Sequence, residues 1–545
     1  MTSGGEGVRN GGDLVVESLR SLGVETVFGI PGQHALGLFD ALNRSPLHFV
    51  SSRVENNSAF AADGFARANG AGTIPAVLFL STGPGALTAL AGLQEAYATG
   101  VPVVVISSQV PSDGVGLRRG MLHQLDDQQA SAKNVARYTR LVRRAAEIPS
   151  VIAEATSAAL SSPSGPVWVE IPQDILLDPT EVPPVSGLVI RPDIPEPRPE
   201  LITDAAALLS AAQNPVILAG GGVRRAGAHA ALRELAEKLD APVVSTPGGN
   251  GAFPRAHRLS AGGWIEDRYT TDLLEDADVL LAIGTSFGEV TSNYFTFAPR
   301  GRIVQIDAEA RVLESNQHAL AIHADARLAL EALVAEVQPR TGSGEQIAQQ
   351  LLEQVGGRLD HQDLAVERTL INDLREAVPD DAQTYWDMTI AAYWAWSAWD
   401  PREGKFHSAQ GAGGLGFGYP AAIGGAVASG KRTLAVSGDG GAMYSISELA
   451  TARQHNLPVT WLIIDDGGYG ILREYMIESF GQATATELAR PDFVKLAEAF
   501  GVPARHTTLE TLRDDIEAAW QEDGPNVVVL ETTLEMWAPT HLVDR

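Results

Sequence analysis

Short apolar runs, each opened by a proline, recur along this chain and alternate with alanine-rich stretches. Proline is tolerated at the first residue of a strand, and unbroken apolarity is typical of strands that are buried on both faces of a sheet. The alanine-rich stretches predict helices between these strands. The runs begin at Pro102, Pro166, Pro215, Pro242, Pro458 and Pro525. The alternation predicts an α/β protein built from doubly wound parallel sheets.

Two segments interrupt this pattern and divide the chain into three predicted domains. Residues 178–200 are rich in proline, and residues 338–345 carry a proline and glycines before a polar helical stretch. We expect an N-terminal domain over 1–180, a central nucleotide-type domain over 200–337 and a C-terminal domain over 362–545. The linkers are then 181–199 and 338–361.

A weak repeat relates the outer domains, because Gly83-Pro84-Gly85 and Gly438-Asp439-Gly440 are each followed by a helix and a proline-led strand.

The strongest candidate site lies between Gly438 and Gly468. The turn Gly438-Asp439-Gly440-Gly441 precedes a predicted helix over 442–455 and a predicted strand over 459–464, which leads into Asp465 and Asp466. A right-handed βαβ crossover returns the second strand beside the first, so Asp439 and Asp466 are expected at one sheet edge. Oxygen ligands there suit Mg²⁺, while helix amides and glycine backbone suit a diphosphate.

This spacing resembles the motif of thiamin-diphosphate enzymes, a GDG turn followed one βαβ unit later by an asparagine pair. Here Asp465-Asp466 replaces the asparagines, which adds negative charge beside the diphosphate. Further segments resemble the same family, in the same order: Phe28-Gly29-Ile30-Pro31-Gly32-Gln33-His34, residues 50–68 with the pattern AADGxAR, Thr82-Gly83-Pro84-Gly85-Ala86, Asp387-Met388-Thr389 and residues 411–424. The resemblance covers essentially the whole chain. It is closest to the acetolactate synthase, benzoylformate decarboxylase and 5-guanidino-2-oxopentanoate decarboxylase group.

The resemblance implies roles for individual residues. Glu55 matches the family's glutamate against the aminopyrimidine ring, Leu415 matches the apolar wedge that bends the cofactor, and the Gly413 carbonyl accepts from its 4′-amino group. The implied Mg²⁺ ligands are Asp439, Asp466 and the Gly468 carbonyl. The other residues implied in cofactor binding are Thr389, Gly440, Gly441, Ala442, Gly468, Tyr469 and Ile471.

The candidate residues for substrate binding and proton transfer lie in three segments. His34 and His123 are candidate proton donors near neutral pH, with Gln124 as a catalytic neighbour. For each histidine the alternative is a loop residue with only a structural hydrogen bond. Gln33 is a substrate candidate in the first loop, and Tyr475 and Met476 share a helical face with Ile471 that would wall the acyl pocket. The aromatic run 393–399 is expected in the core and at a subunit interface.

These implications predict an enzyme that uses thiamin diphosphate and Mg²⁺ to decarboxylate a small 2-oxo acid to an aldehyde through an enamine. The alternative is an acetolactate synthase-type carboligase, which condenses the enamine with a second carbonyl. A cofactor-binding homologue without activity is a third possibility, raised by Asp465-Asp466 alone. The His34 loop and the Leu122-His123 segment favour the decarboxylase. The family places the Glu55 and Asp439 halves of each site on different subunits, so we expect a homodimer or homotetramer with active sites at the interface.

Composition narrows the choice of partners and compartment. The formal charge of −27 argues against nucleic acid and anionic membranes as partners, and the absence of cysteine excludes disulfides and thiolate chemistry. The polar segment 1–10 predicts no signal peptide, so a cytoplasmic location is expected. Residues 73–94 predict a strand, a turn and a helix rather than a membrane span. FAD, which acetolactate synthases hold in the central domain, is not expected, because the glycine-rich segment 218–224 lacks dinucleotide spacing.

Overall fold

The computed structural model describes residues 8–70, 74–313 and 315–538, so the segment 1–7, the start of the predicted N-terminal domain, lies outside the described residues. The described chain forms two compact units. The first contains the described part of 1–193 together with Gly411–Lys431 and Tyr444–Val459. The second contains Ile194–Gln410, Arg432–Met443 and the described residues from Thr460 onward.

The first unit is built on a parallel six-stranded sheet. Its strands are β1 (Thr26–Gly29), β2 (His48–Ser51), β3 (Ala76–Leu80), β4 (Val103–Gln109), β5 (Tyr138–Leu141) and β6 (Val167–Pro172), paired in the order β2-β1-β3-β4-β6-β5. Its first eight helices are α1 (Gly11–Ser21), α2 (Leu36–Asn43), α3 (Glu55–Asn69), α4 (Pro84–Thr88), α5 (Leu90–Thr99), α6 (Gln128–Ala132), α7 (Ile148–Leu160) and α8 (Gln173–Leu177). β3, β4 and β6 are buried along their whole length, as their continuous apolarity predicts.

The second unit begins with a parallel five-stranded sheet. Its strands are β7 (Pro215–Ala219), β8 (Val243–Ser245), β9 (Val279–Ile283), β10 (Arg302–Asp307) and β11 (Leu320–His323), in the order β11-β10-β9-β7-β8. The helices are α9 (Pro199–Ala211), α10 (Gly221–Arg225), α11 (His229–Leu239), α12 (Arg268–Asp276), α13 (Ala326–Glu336) and α14 (Gly344–Leu359). α14 lies within the predicted linker 338–361 and buries Ala348, Leu351 and Val355 in the core.

The third sheet is parallel and six-stranded. Its strands are β12 (Gln383–Trp386), β13 (Lys405–Ser408), β14 (Thr433–Gly438), β15 (Val459–Asp465), β16 (Ala504–Thr507) and β17 (Asn526–Glu531), in the order β13-β12-β14-β15-β17-β16. The accompanying helices are α15 (Ala365–Ala377), α16 (Ile390–Ala398), α17 (Gly418–Ser429), α18 (Asp439–Ser445), α19 (Leu449–Gln454), α20 (Gly470–Phe480), α21 (Phe493–Ala499) and α22 (Leu512–Trp520). Of these, α17 and α19 belong to the first unit.

The first and third sheets share one strand order when the strands are counted within each sheet, which confirms the predicted internal repeat. In both sheets the order turns back between the first and third strands, β1 and β3 in one and β12 and β14 in the other. Right-handed crossovers then place helices on both faces, and ligands of such sheets bind at the carboxyl ends of the strands where the order turns back. We therefore expect ligand-binding residues at the carboxyl ends of β1 and β3 in the first sheet and of β12 and β14 in the third.

The proline-led runs are confirmed as strands β4, β6, β7, β8, β15 and β17. The helix predicted over 442–455 is wrong in its start, because the glycine turn itself enters the helix at Asp439. It is also interrupted by a 3-10 turn over Ile446–Glu448. The described part of 73–94 forms β3, α4 and the start of α5, as predicted, and no helix in the described ranges has the length and apolarity to cross a bilayer.

Candidate active site

The turning point of the third sheet brings the GDGG turn together with the Asp387 segment. β12 ends before Asp387, whose backbone N–H donates to the Val436 carbonyl of β14 at 2.8 Å. A Cβ at Gly441 would lie 2.9 Å from the Asp387 carboxylate, and one at Gly438 would lie 3.3 Å from the Thr389 hydroxyl. The glycines therefore let the Asp387-Met388-Thr389 segment approach the turn, as its resemblance to a diphosphate-contacting segment implies.

Asp439 is a buried carboxylate that lies close to a second one. It begins α18, is 1% exposed, and neither of its oxygens has a hydrogen-bond partner in the described part of the chain. Burial and the nearby Asp466 carboxylate raise the pKa of Asp439 well above its ordinary value. A carboxyl group in these surroundings is neutralised either by a proton or by a bound cation.

The 465–470 loop supplies two more oxygens to this point. A Cβ at Gly440 would lie 3.3 Å from the Gly468 carbonyl oxygen, so that carbonyl faces the turn. The Asp466 carboxylate accepts from the Gly468 N–H at 3.2 Å and covers the first residue of α20, Gly470. Gly468 is required by the fold as well, because a Cβ there would lie 1.9 Å from the Thr486 carbonyl oxygen. Asp439, Asp466 and Gly468, predicted as metal ligands, thus lie on adjoining elements.

These residues fit a cation that is shared with a diphosphate. No group of three or more histidine and acidic side chains that could hold a metal occurs in the described residues. Two carboxylates and one carbonyl are an incomplete set for Mg²⁺, which usually keeps several waters and takes the rest of its oxygens from substrate phosphates. The Asp439 oxygens, which have no hydrogen-bond partner within the described ranges, and the amino end of α18 beside them match that arrangement.

The helix α20 behind this loop carries the predicted substrate wall. Ile471 packs against the core of the second unit, and Tyr475 is hydrogen-bonded to Tyr393 of α16. Met476 is half-buried next to it. Nearby, the almost fully buried Glu266 has a pKa raised to about 7 by its burial, and Tyr294 donates a hydrogen bond to it. Glu266 and Tyr294 were missed in the sequence, since neither lies in a recognisable motif.

The aromatic run 393–399 packs largely in the core, as predicted. Trp394, Trp396 and Trp399 are at most 4% exposed, and Trp394 packs edge-on against Trp537 at 4.9 Å between ring centroids. Tyr393 differs from these tryptophans, because it is only half-buried and reaches Tyr475.

In the first unit the turning point of the sheet gathers the other candidates. Glu55 is the first residue of α3, the helix that follows β2, and its carboxylate lies 3.2 Å from the position a Cβ on Gly85 would take. Gly85 lies in α4, just after the turn that follows β3, and the buried Gln128 holds that turn by accepting from the Thr82 hydroxyl at 2.6 Å and the Gly83 N–H at 3.0 Å. No ion pair joins Glu55 to Arg53 among the described residues; Arg53 binds Gln454 instead.

His34 and His123 lie against each other, although 89 positions separate them in the sequence. Their ring centroids are 5.3 Å apart, and the Nδ1 atom of each is buried without a hydrogen-bond partner within the described ranges. Burial and the neighbouring His123 lower the pKa of His34. The other two candidates in these segments are Gln124 and Gln33. The Gln124 side chain donates to the Gly114 carbonyl at 2.6 Å and accepts from the Met121 N–H at 3.1 Å, whereas the Gln33 side chain is exposed.

The loop that carries Gly413 and Leu415 is held by a residue absent from the predictions. The fully buried Glu95 of α5 accepts from the N–H groups of Gly411 at 3.2 Å and Ala412 at 2.7 Å. Arg67, whose guanidinium is buried, pairs with Glu95 and with Asp63. The AADGxAR pattern contains Asp63 and Arg67, so one half of this network was visible in the sequence. Nothing in the sequence connects it to a loop more than 300 residues away.

Comparison with protein families agrees with this geometry. The model of the N-terminal TPP binding domain of thiamine pyrophosphate enzymes matches residues 9–131, the central-domain model matches 202–333 and the C-terminal TPP binding domain model matches 387–530. The chain belongs to the thiamine pyrophosphate enzyme family, that is, the thiamin-diphosphate enzymes. The predicted family and the three parallel α/β domains are confirmed.

Relatives within the family carry two different activities in their names. The chain is 32% identical over 528 residues to a probable 2-ketoarginine decarboxylase of Pseudomonas aeruginosa, covering 95% of this chain and 93% of that protein. It is also 32% identical to acetolactate synthase large subunits of Parasynechococcus marenigrum, over 95% of this chain and 87% of that protein, and of Escherichia coli (isozyme 2), over 95% and 94%. Identity alone therefore does not separate the two reactions.

Proposed function

We propose that this chain is a thiamin-diphosphate- and Mg²⁺-dependent decarboxylase that converts a 2-oxo acid to an aldehyde. The observation that carries the proposal is the contact between His34 and His123, whose Nδ1 atoms are buried and without partners among the described residues. Release of an aldehyde requires delivery of a proton to carbon, a task for positioned imidazoles. Carboligation requires a second carbonyl to arrive in place of that proton.

The other candidate residues would bind the metal and the cofactor. Asp439, Asp466 and the Gly468 carbonyl would hold Mg²⁺, and the GDGG turn with Thr389 would hold the diphosphate. When bound, thiamin diphosphate supplies the nucleophilic carbon and the electron sink for loss of CO₂. Glu55 would hold a proton at the aminopyrimidine ring, while Leu415 and the Gly413 carbonyl would support that ring.

The surroundings of His34 are suited to proton delivery. Burial and the neighbouring His123 lower the pKa of His34, so its protonated ring is a stronger acid than an ordinary imidazolium and gives up its proton more readily. The tyrosines and the buried Glu266 near α20 would face the acyl substituent, and Tyr475 and Met476 would wall its pocket.

The decisive assay presents the full-length protein, thiamin diphosphate and Mg²⁺ with a panel of 2-oxo acids. Aldehyde is followed with a coupled alcohol dehydrogenase, and acetolactate formed from pyruvate is measured separately. The proposal expects aldehyde and CO₂ in equal amounts and no acetolactate. His34→Asn and His123→Asn should slow aldehyde release without changing cofactor affinity. Acetolactate from pyruvate without aldehyde would instead favour carboligation, the reaction named for the acetolactate synthase relatives.

We also infer that the chain assembles into a homodimer or homotetramer. Leu472, Ile477 and Phe480 on α20 are at least 46% exposed in the single chain, and apolar side chains gathered on one helix are typical of a contact surface. Sedimentation at micromolar concentration should show a dimer or tetramer. A fully active monomer would contradict the inference.

A further inference from the structure

Two arginines lie against the two aspartates that stand where the usual motif has an asparagine pair. Arg490 forms an ion pair through Nε with the Asp465 carboxylate, which is 7% exposed. Arg473 places Nη2 at 3.7 Å from the Asp466 carboxylate and Nη1 at 3.0 Å from Glu487. Neither arginine belongs to a motif identified in the sequence.

The backbone around these pairs is arranged to bring Arg490 close. The Tyr469 N–H donates to the Thr486 carbonyl at 2.9 Å, and the Leu488 N–H donates to the Gly467 carbonyl at 3.1 Å. A Cβ at Gly467 would lie 3.2 Å from an Arg490 guanidinium nitrogen, and Gly467 has φ +90°, which disfavours any other residue. The chain beyond α20 is thereby fastened along the 465–470 loop, with Arg490 at its end.

The charges of these four side chains balance. An asparagine pair is neutral, whereas Asp465 and Asp466 bring two negative charges to a site that already contains Asp439 and would bind a diphosphate. Arg473 and Arg490 bring two positive charges to the same loop. Like charges at short range in a partly buried site repel one another strongly unless they are compensated.

We propose that Arg490, with a smaller contribution from Arg473, is a positioning residue that makes the aspartate pair compatible with the diphosphate. Arg490 neutralises Asp465 and holds its carboxylate in an ion pair, so that Asp439 and Asp466 remain as the acidic ligands of the cation. The inference rests on the proposed cofactor site, but not on which reaction follows cofactor binding.

The test removes the charges of Arg490 and Asp465 singly and together. The affinity for thiamin diphosphate is measured by calorimetric titration into the cofactor-free full-length protein at saturating Mg²⁺. Arg490→Gln should weaken binding about tenfold at low salt, and less at high salt, because an uncompensated Asp465 repels the diphosphate. Asp465→Asn combined with Arg490→Gln should return the affinity to within about threefold of the wild type, since both charges are then gone. Arg490→Lys should keep the affinity near that of the wild type.

Arg368→Gln is the matched control. Arg368 is similarly exposed, at 46% against 41% for Arg490, and pairs with Asp360 at 2.6 Å. It lies on α15, outside the 465–470 loop, so its loss should leave affinity unchanged. Melting curves of every variant show whether a loss of binding reflects a loss of folding.

Two results would overturn the inference. Unchanged affinity in Arg490→Gln would show that Asp465 needs no compensation. A double variant that binds as weakly as Arg490→Gln would show that Arg490 contacts the cofactor or supports the loop by packing alone. Failure of the decarboxylase proposal appears differently, as wild-type protein that binds cofactor but releases no aldehyde. A wild type that binds no cofactor would contradict both.

Discussion

The substitution Glu95→Gln tests whether Glu95 holds the loop that carries Gly413 and Leu415. In Glu95→Gln, the buried Arg67 keeps Asp63 but loses its second carboxylate, and the single amide oxygen can accept from only one of the Gly411 and Ala412 N–H groups. Breaking a buried ion pair costs about 3–5 kcal/mol, and an unsatisfied buried N–H costs about 1–3 kcal/mol. Because Asp63 still compensates Arg67, we expect a total of about 3 kcal/mol.

The assay combines thermal unfolding with hydrogen exchange. A loss of about 3 kcal/mol lowers the midpoint of a unit of this size by roughly 6–12 °C. The amide of Ala412, which donates to Glu95 at 2.7 Å, should exchange faster in the variant. Asp40→Asn is the control, since Asp40 pairs with Arg44 at the surface and exposed pairs contribute under about 1 kcal/mol. A midpoint within about 2 °C of the wild type, with unchanged exchange at Ala412, would refute the reasoning.

Two further predictions concern single carboxylates. Glu55→Gln should retain thiamin diphosphate binding but lower kcat by orders of magnitude, because the amide cannot supply acid–base assistance to the aminopyrimidine; retention of more than about a tenth of the activity would contradict the role. Glu266→Gln should stabilise the protein by roughly 3 kcal/mol at pH 8, because the pKa of Glu266 is raised from 4.5 to about 7 and folding penalises its charged form. The gain should shrink as pH falls through 7 and vanish below 4.5, where the carboxyl is protonated in both states; melting curves that shift equally at pH 8 and pH 4.5 would show that Glu266 is not the titrating group.

The sequence predicted the sheets well because their strands carry local signals. Pro102, Pro166 and Pro458 each precede a strand that is buried along its whole length, so proline position and apolar continuity were sufficient. The βαβ rule placed Asp439 and Asp466 at one edge, and the structure has them near enough for the charge of one to raise the pKa of the other. The start of the helix after Gly438 was misplaced, because glycine propensity alone gives no sign that a turn continues into a helix.

The unpredicted parts depend on contacts between distant segments. Glu95 holds a loop that begins 316 positions later, and Arg490 reaches Asp465 only because the chain beyond α20 turns back along the 465–470 loop. In the glycine-rich segment 218–224, the structure shows a packing reason for one of the glycines. A Cβ at Gly220 would lie 2.3 Å from the Gly284 carbonyl oxygen, so close packing of two backbone segments accounts for that glycine without a dinucleotide.

The central claim is that the edge of the third sheet binds Mg²⁺ and the diphosphate of thiamin diphosphate through Asp439 and Asp466. Calorimetric titration of the cofactor, with and without Mg²⁺, into wild-type, Asp439→Ala and Asp466→Asn protein tests it most directly. We predict Mg²⁺-dependent binding at one site per chain, no binding in Asp439→Ala, and equal or tighter binding in Asp466→Asn, which restores the neutral residue of the usual motif. Mg²⁺-dependent binding that survives in Asp439→Ala, or that is lost in Asp466→Asn, would contradict the claim.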